Sequence, residues 1–236
     1  MTVRCIDISH HQDFPDFDEV RDSGVIAMIH KATEGSSYID PNRAINIAGA
    51  MKAGISCCTY HWLSPTSSPT EQMEFYLETV NPVHGERMVI DYEENGCVLE
   101  DLREAVSVLK ADPRNLKVTV YSGHLLKEQL GDVCDEYLAE STDLWLAHYT
   151  GGEPTWSSAT YPAWKLWQYT DQGSIPGIYT NVDLDEFNGS DDELLDWITP
   201  SIEKILPRVE VNVEINIPDG IEVSISINGV ELACLR

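Results

Sequence analysis

The sequence predicts an α/β fold: a closed, irregular, TIM-like β/α barrel carrying a small C-terminal β-hairpin. Three observations carry that expectation. Short apolar stretches alternate with amphipathic ones through the first half of the chain, the mark of strand–helix units in a parallel sheet. Eight candidate strands can be drawn, and the last three follow one another through loops without full helices. Beyond residue 207 the pattern changes to strict apolar/polar alternation on both sides of Pro218-Asp219-Gly220, a turn sequence. An open doubly wound sheet is the alternative that the same alternation allows.

In chain order, the strands are read in VRCIDIS, VIAMIHKA, ISCCTYHW, RMVIDYE, KVTVYS, LWLAHY, AWKLWQY and IYTNVDL. Helices are read in FDEVRDSG, PNRAINIAGAMKAG, PTEQMEFYLETV, LEDLREAVSVLKAD, HLLKEQLG and CDEYLAES. Gly24 and Gly54 fall where the first two helices should end. The barrel is thus expected over residues 1–190, a polar helical connector over 191–207, and the hairpin over 208–236. Folding the hairpin at Asp219 sets Ile217 against Ile221, Ile215 against Val223, Val213 against Ile225 and Val211 against Ile227. A lone two-stranded hairpin with one apolar face is marginal in water. It must pack on the barrel or on another copy of itself. A homo-oligomer is favoured, because a barrel wall is normally covered by its own helices.

The 236 residues are 42% hydrophobic and 23% charged, an ordinary globular composition. The charge is not ordinary: 40 acidic against 15 basic residues give −25. That balance disfavours nucleic acid, whose phosphates need Lys and Arg. It also disfavours adsorption to anionic membranes and anionic wall polymers. A neutral or amphoteric polymer is the better partner. No apolar run approaches the roughly 20 residues of a membrane span. The start MTVRCIDISHHQ lacks the charged-then-apolar plan of a secretion signal, so synthesis in the cytoplasm is expected. The six cysteines show neither C-x-x-C nor zinc spacing and read as reduced, small hydrophobic residues.

The strand ends carry the chemistry. Asp7 closes the first strand, Asp91 and Glu93 the fourth, and Asp183 the eighth. Residues that meet substrate in a β/α barrel sit at the C-terminal strand ends, and the first and eighth strands are neighbours once the barrel closes. Crowded carboxylates cannot all ionise, so one should keep its proton near neutral pH. A protonated acid beside an ionised one can cleave a glycosidic bond: one protonates the leaving oxygen while the other stabilises the developing positive charge. An oxygen-only metal site is the other use of such acids, but it suits a catalytic transition metal poorly without histidines at ligand spacing. No metal or cofactor is expected.

Aromatic residues gather at the same ends: Tyr60, Trp62, Tyr121, Trp145, Tyr149, Trp167 and Tyr169. Sugar rings pack their apolar faces on such side chains, and Tyr and Trp tips bond hydroxyls. Plain core is the alternative for each taken singly. Lys31, ending the second strand, can neutralise the acids, reach a substrate oxygen, or form a structural ion pair. His10 and His11 diverge in an extended chain and do not suggest a shared metal. His61 and His148 are out of phase with their aromatic neighbours and should pack behind the strands.

With those residues named, the chain resembles the glycoside hydrolase family 25 lysozymes, the Chalaropsis-type muramidases common among phage endolysins. The resemblance rests on CIDISHHQ, HKATEG, TYHW, VIDYEENG, VTVYSG, LWLAHY, LWQYTDQG and NVDLDEFNG, in that order over residues 3–189. It implies a (β/α)5(β)3 barrel that cleaves the β-1,4 bond between N-acetylmuramic acid and N-acetylglucosamine in peptidoglycan, at the cell wall after release. It implies Glu93 as general acid/base and Asp91 as nucleophile or as the group that steers the N-acetyl arm. Asp7 and Asp183 complete the acidic floor, and Tyr60, Tyr121 and Lys31 contact sugar. Two positions depart from the family pattern: Cys5 where glycine is frequent, and Asp185 where asparagine is usual. The competing functions are a peptidoglycan-binding barrel that has lost catalysis and a metal-dependent, polysaccharide deacetylase-like hydrolase.

Overall fold

The computed structural model describes residues 3–152, 154, 156, 159–199, 223–227 and 230–235. The chain falls into two compact units, residues 1–201 and 202–236. In the first, the order is β1 (Cys5–Ile8), α1 (Phe17–Asp22), β2 (Ala27–Glu34), β3 (Tyr38–Ile39), α2 (Arg43–Lys52), β4 (Ser56–Trp62), α3 (Pro69–Val80), β5 (Arg87–Asp91) and α4 (Leu99–Ala111). Then come β6 (Lys117–Ser122), α5 (His124–Leu130), α6 (Glu136–Ser141), β7 (Thr142–Ala147), β8 (Leu166–Gly173), β9 (Val182–Phe187) and α7 (Asp191–Ile198).

Local chemistry sets these bounds. At the start of α3, Ser68 accepts the Glu71 N–H with Pro69 in the first turn, and Asn81 ends the helix in the left-handed region at φ 49°. Helix α4 buries Leu102, Ala105, Val106 and Leu109, one stripe at helical spacing. Gly24 and Gly54, at φ 110° and 80°, let the chain leave α1 and α2 and turn back into strands.

The sheet closes. Strands β1, β2, β4, β5, β6, β7 and β8 run parallel in that order, and β9 lies antiparallel between β8 and β1. This is the expected barrel rather than an open sheet, with β3 as a short extra strand on β2. The last strand expected from the sequence, IYTNVDL, ends just after Asp183. The strand instead spans Val182–Phe187, and Asp183 stands near its start. Asp183 still reaches the mouth because β9 runs backwards, which turns its N-terminal end to the side where the other strands finish. The register pairs Asp7 with Asp183 and Cys5 with Asp185.

Two outer clusters lie between the strands and their helices, and a third fills the barrel. The interior holds Cys5, Ala27, Ile29, Cys58, Val89, Tyr121, Trp145 and Leu166, joined by Leu194, Trp197 and Ile198 of α7. Cys57 faces the outer cluster while Cys58 faces the interior, as adjacent strand residues must. Among the described residues Cys5, Cys57, Cys58, Cys97 and Cys134 are free, and Cys134 is exposed.

Helix α7, within the stretch expected to be a polar connector, buries one face in the barrel. Ser190 caps it by accepting the Glu193 N–H, and Glu193 returns the bond to the Ser190 backbone. Arg87 Nε donates to Trp197 O at 2.7 Å, its guanidinium lies 4.1 Å from the Trp197 ring centre, and Nη1 pairs with Asp143 at 2.8 Å. Trp197 Nε1 donates to the same Asp143 carboxylate. The helix therefore plugs the barrel.

In the second unit, strands β10 (Val223–Ile227) and β11 (Val230–Leu235) pair antiparallel, Val223 opposite Leu235. The expected hairpin folded at Asp219 has its first strand and turn outside the described residues.

Removing the plug should be costly. Trp197→Ala is expected to destabilise the barrel by about 3–5 kcal/mol, the usual range for a buried tryptophan truncated to alanine. Denaturant unfolding followed by far-ultraviolet circular dichroism measures it.

Candidate active site

An open cleft lies at the barrel mouth. Its walls include Asp7, Asp91, Glu93 and Asp183, together with Tyr60, Trp62, Tyr121, Trp145 and Tyr149. The strand ends thus bring the four expected acids to one place.

The acids differ in exposure. Asp7 and Asp91 are 5% exposed, whereas Glu93 stands open to solvent and Asp183 is half-buried. Burial pushes the Asp91 carboxyl well above the ordinary range, Glu93 pushes it further, and the Lys31 ammonium pulls it back. Glu93 is raised by desolvation and then by Asp183, again against Lys31. Asp183 is raised to about 6, by desolvation and by Asp171. Burial drives Asp7 well up, with Asp185 and Asp183 adding to it. The site therefore retains protons that isolated carboxylates would have lost.

A hydrogen-bond network fixes the floor. Gln168 Nε2 donates to Asp7 Oδ2 at 2.8 Å, and Gln168 Oε1 accepts the hydroxyls of Tyr121 at 2.8 Å and Tyr149 at 2.7 Å. Trp145 Nε1 donates to Asp185 Oδ1 at 2.8 Å, and Trp62 Nε1 to Glu94 Oε2 at 2.9 Å. The β1–α1 turn is held from outside the cleft: the His10 backbone and Nδ1 both meet Asp40 Oδ2. His11 stacks on His10 with ring centres 4.1 Å apart and lines the cleft.

Two expected sugar contacts are not part of this wall. Lys31 is buried beside it, paired with Glu34 at 2.6 Å and lying 5.0 Å from the Trp62 ring centre. Trp167 faces outward into the cluster between strands and helices, its indole N–H bonded to His148 O. Leu166 points into the barrel, so Trp167 and Tyr169 point out and Gln168 points in. The two aromatics share a face, but it is the outer one and not the cleft. Gln168 was not anticipated, because a polar residue between two aromatics can face either side of a barrel wall. His61 packs behind its strand as expected, bonded to Thr33 and Gln72 and lowered to about 4 by burial. His148 is half-buried and lines a second groove instead. Among the described residues no three His, Cys, Asp or Glu side chains converge in a way suited to a metal ion.

The pattern of Glycosyl hydrolases family 25 matches residues 6–178. This chain belongs to glycosyl hydrolase family 25. The uncharacterised protein YegX of Escherichia coli K12 is 34% identical over 205 residues, 82% of this chain and 72% of that protein. Lysozyme M1 of Streptomyces globisporus is 28% identical over 211 residues, 82% of this chain and 70% of that one. The crystal structure of a bacterial lysozyme from Streptomyces coelicolor superposes with a TM-score of 0.76 at 27% identity, covering 84% of this chain and 97% of that one. The protein is a glycoside hydrolase.

Raised acids tie stability to pH. A carboxyl whose folded pKa exceeds its unfolded value is neutral in both states in acid, and it loses stability as pH rises between the two values. Asp91 is such a group. Asp91→Asn is expected to raise unfolding free energy at about pH 7 by at least about 1 kcal/mol, the worth of one pKa unit. The gain should vanish toward pH 3.5, below the ordinary aspartate value. Denaturant titrations at both pH values read the difference.

Proposed function

We propose that this glycoside hydrolase is a lysozyme, cleaving the β-1,4 bond between N-acetylmuramic acid and N-acetylglucosamine in peptidoglycan. One observation carries the assignment of roles: Glu93 stands where two grooves meet. The cleft described above lies on one side. On the other lies a groove lined by Gly123, His124, Leu125, Ala147 and His148, sharing Glu93, Tyr121 and Tyr149 with the first. A glycosidic bond laid over Glu93 has room for a sugar on each side.

Glu93 is the proton donor because it is both raised and open to the cleft. It protonates the leaving oxygen and later takes a proton from water. Asp91 is the buried last residue of β5, two residues before Glu93, and stabilises the positive charge that develops on the departing sugar. Tyr60, Trp62 and Tyr149 offer ring faces to the sugars. Lysozyme M1 among the relatives supports this reading, and so does the Streptomyces coelicolor lysozyme of the same fold. Action at the cell wall after release from the cytoplasm follows from it. No described helix is long and apolar enough to cross a membrane.

Glu93→Gln is expected to slow clearing of a purified peptidoglycan suspension by about 10²–10⁴-fold, the usual contribution of a general acid. Its circular dichroism should be unchanged. Wild-type kcat/KM should fall as pH rises through the elevated Glu93 pKa, where the proton is lost. Equal clearing by both proteins defeats the assignment. Loss of wild-type clearing with a chelator would instead favour a metal-dependent hydrolase.

The C-terminal unit is assigned a self-association role. Sedimentation should show a larger species for the full chain than for one ending at Thr199, a boundary that keeps the α7 plug. Equal monomer masses reject this.

A further inference from the structure

Asp185 is a buried acid for which the cleavage reaction has no use. It lies on β9 opposite Cys5 of β1 and Gln168 of β8, one inward position below Asp183. It is 2% exposed. Trp145 serves its Oδ1, while Oδ2 is buried and receives no amide, indole or hydroxyl donor. The carboxyl of Asp7 is within hydrogen-bonding reach.

Asp7 is constrained from its own side. Gln168 Nε2 donates to Asp7 Oδ2, while its Oε1 accepts from the Tyr121 and Tyr149 hydroxyls. Two carboxyls in contact need a proton between them. Asp7 meets Asp183 in the same way, but one O–H cannot serve both. Asp183 is half-buried at the cleft, where water can satisfy it. Asp185 Oδ2 has no such alternative.

We propose that Asp7 and Asp185 form a carboxyl pair holding one shared proton, and that this proton fixes Asp7 beneath the catalytic acids. Asp185 is a positioning residue acting through Asp7. Burial raises both groups, in keeping with a proton retained through neutral pH. The titratable groups that interact with the pair are Cys5, Asp183, Asp91, Cys58, Tyr60, Tyr121 and Tyr149, with Tyr169 on the outer side of the wall, and none is a cation. Loss of the proton would leave two buried carboxylates opposed, and Asp7 would leave its place. Only this last step, from Asp7 to turnover, rests on the lysozyme reading.

Infrared spectra of the wild type, Asp7→Asn, Asp185→Asn and the double variant at neutral pH test the pair without substrate. An asparagine at either position leaves one acid, and burial still favours its protonated form. A shared proton therefore predicts one protonated-carboxyl band that the double variant lacks and that each single substitution shifts but keeps. Two bands missing from the double variant, one removed by each single substitution, or none missing, overturn the proposal. In the peptidoglycan assay, Asp185→Leu should lower kcat/KM at least about tenfold, the cost of one badly paired buried acceptor. Asp185→Asn, which can still donate to Asp7, should restore most of it. A loss as deep with Asn as with Leu rejects the positioning role. If no variant or wild type clears peptidoglycan, the lysozyme reading fails while the infrared result stands by itself.

Discussion

The molecule depends on one reversed strand. β9 enters antiparallel between β8 and β1, and without it the parallel strands would end in two unpaired edges. Its direction has a chemical result as well as a topological one. The strand arrives at the mouth by its N-terminal end, so Asp183 pairs in register with Asp7, and Asp185 follows one inward step deeper. Closure and assembly of the acidic floor are one event.

That floor is expensive. Asp7, Asp91 and Asp185 are almost wholly buried, and a buried carboxylate with no counter-charge is among the costliest groups a core can hold. Lys31 offsets part of this for Asp91 and Glu93. Elsewhere the answer is neutrality and hydrogen bonding, through Gln168, two phenols and an indole. Stability comes from the opposite end, where α7 drives Trp197 and Ile198 into the barrel and covers Arg87. The functional mouth is strained by charge, and the closed base carries the apolar packing.

Much of this was legible in the residues. Alternation marked the parallel strands and their helices, and α3 starts and stops where Ser68, Pro69 and Asn81 say it should. The acids at strand ends announced the site. What the sequence hid were matters of direction and parity. Nothing in NVDLDEF states that its strand runs backwards. Nothing in LWQYT says which of Trp167 and Gln168 faces inward, because aromatics pack equally well on either side of a barrel wall. The apolar face of α7 is short and heavily flanked by acids, so it reads as a surface connector until Arg87 is seen waiting for it. Asp185 stood out only as an unusual neighbour of the floor; its orphaned oxygen is a three-dimensional fact.

The burial of the cysteines bears on how such an enzyme meets oxidants. Desolvation pushes the Cys57 and Cys97 thiols up to about 12 and raises Cys5 and Cys58 as well. The thiolate is the species that oxidants attack, and these sulfurs scarcely form it. Burial thus shields these four thiols from oxidation. Among the described residues, Cys134 is the exposed thiol open to oxidation or intermolecular crosslinking.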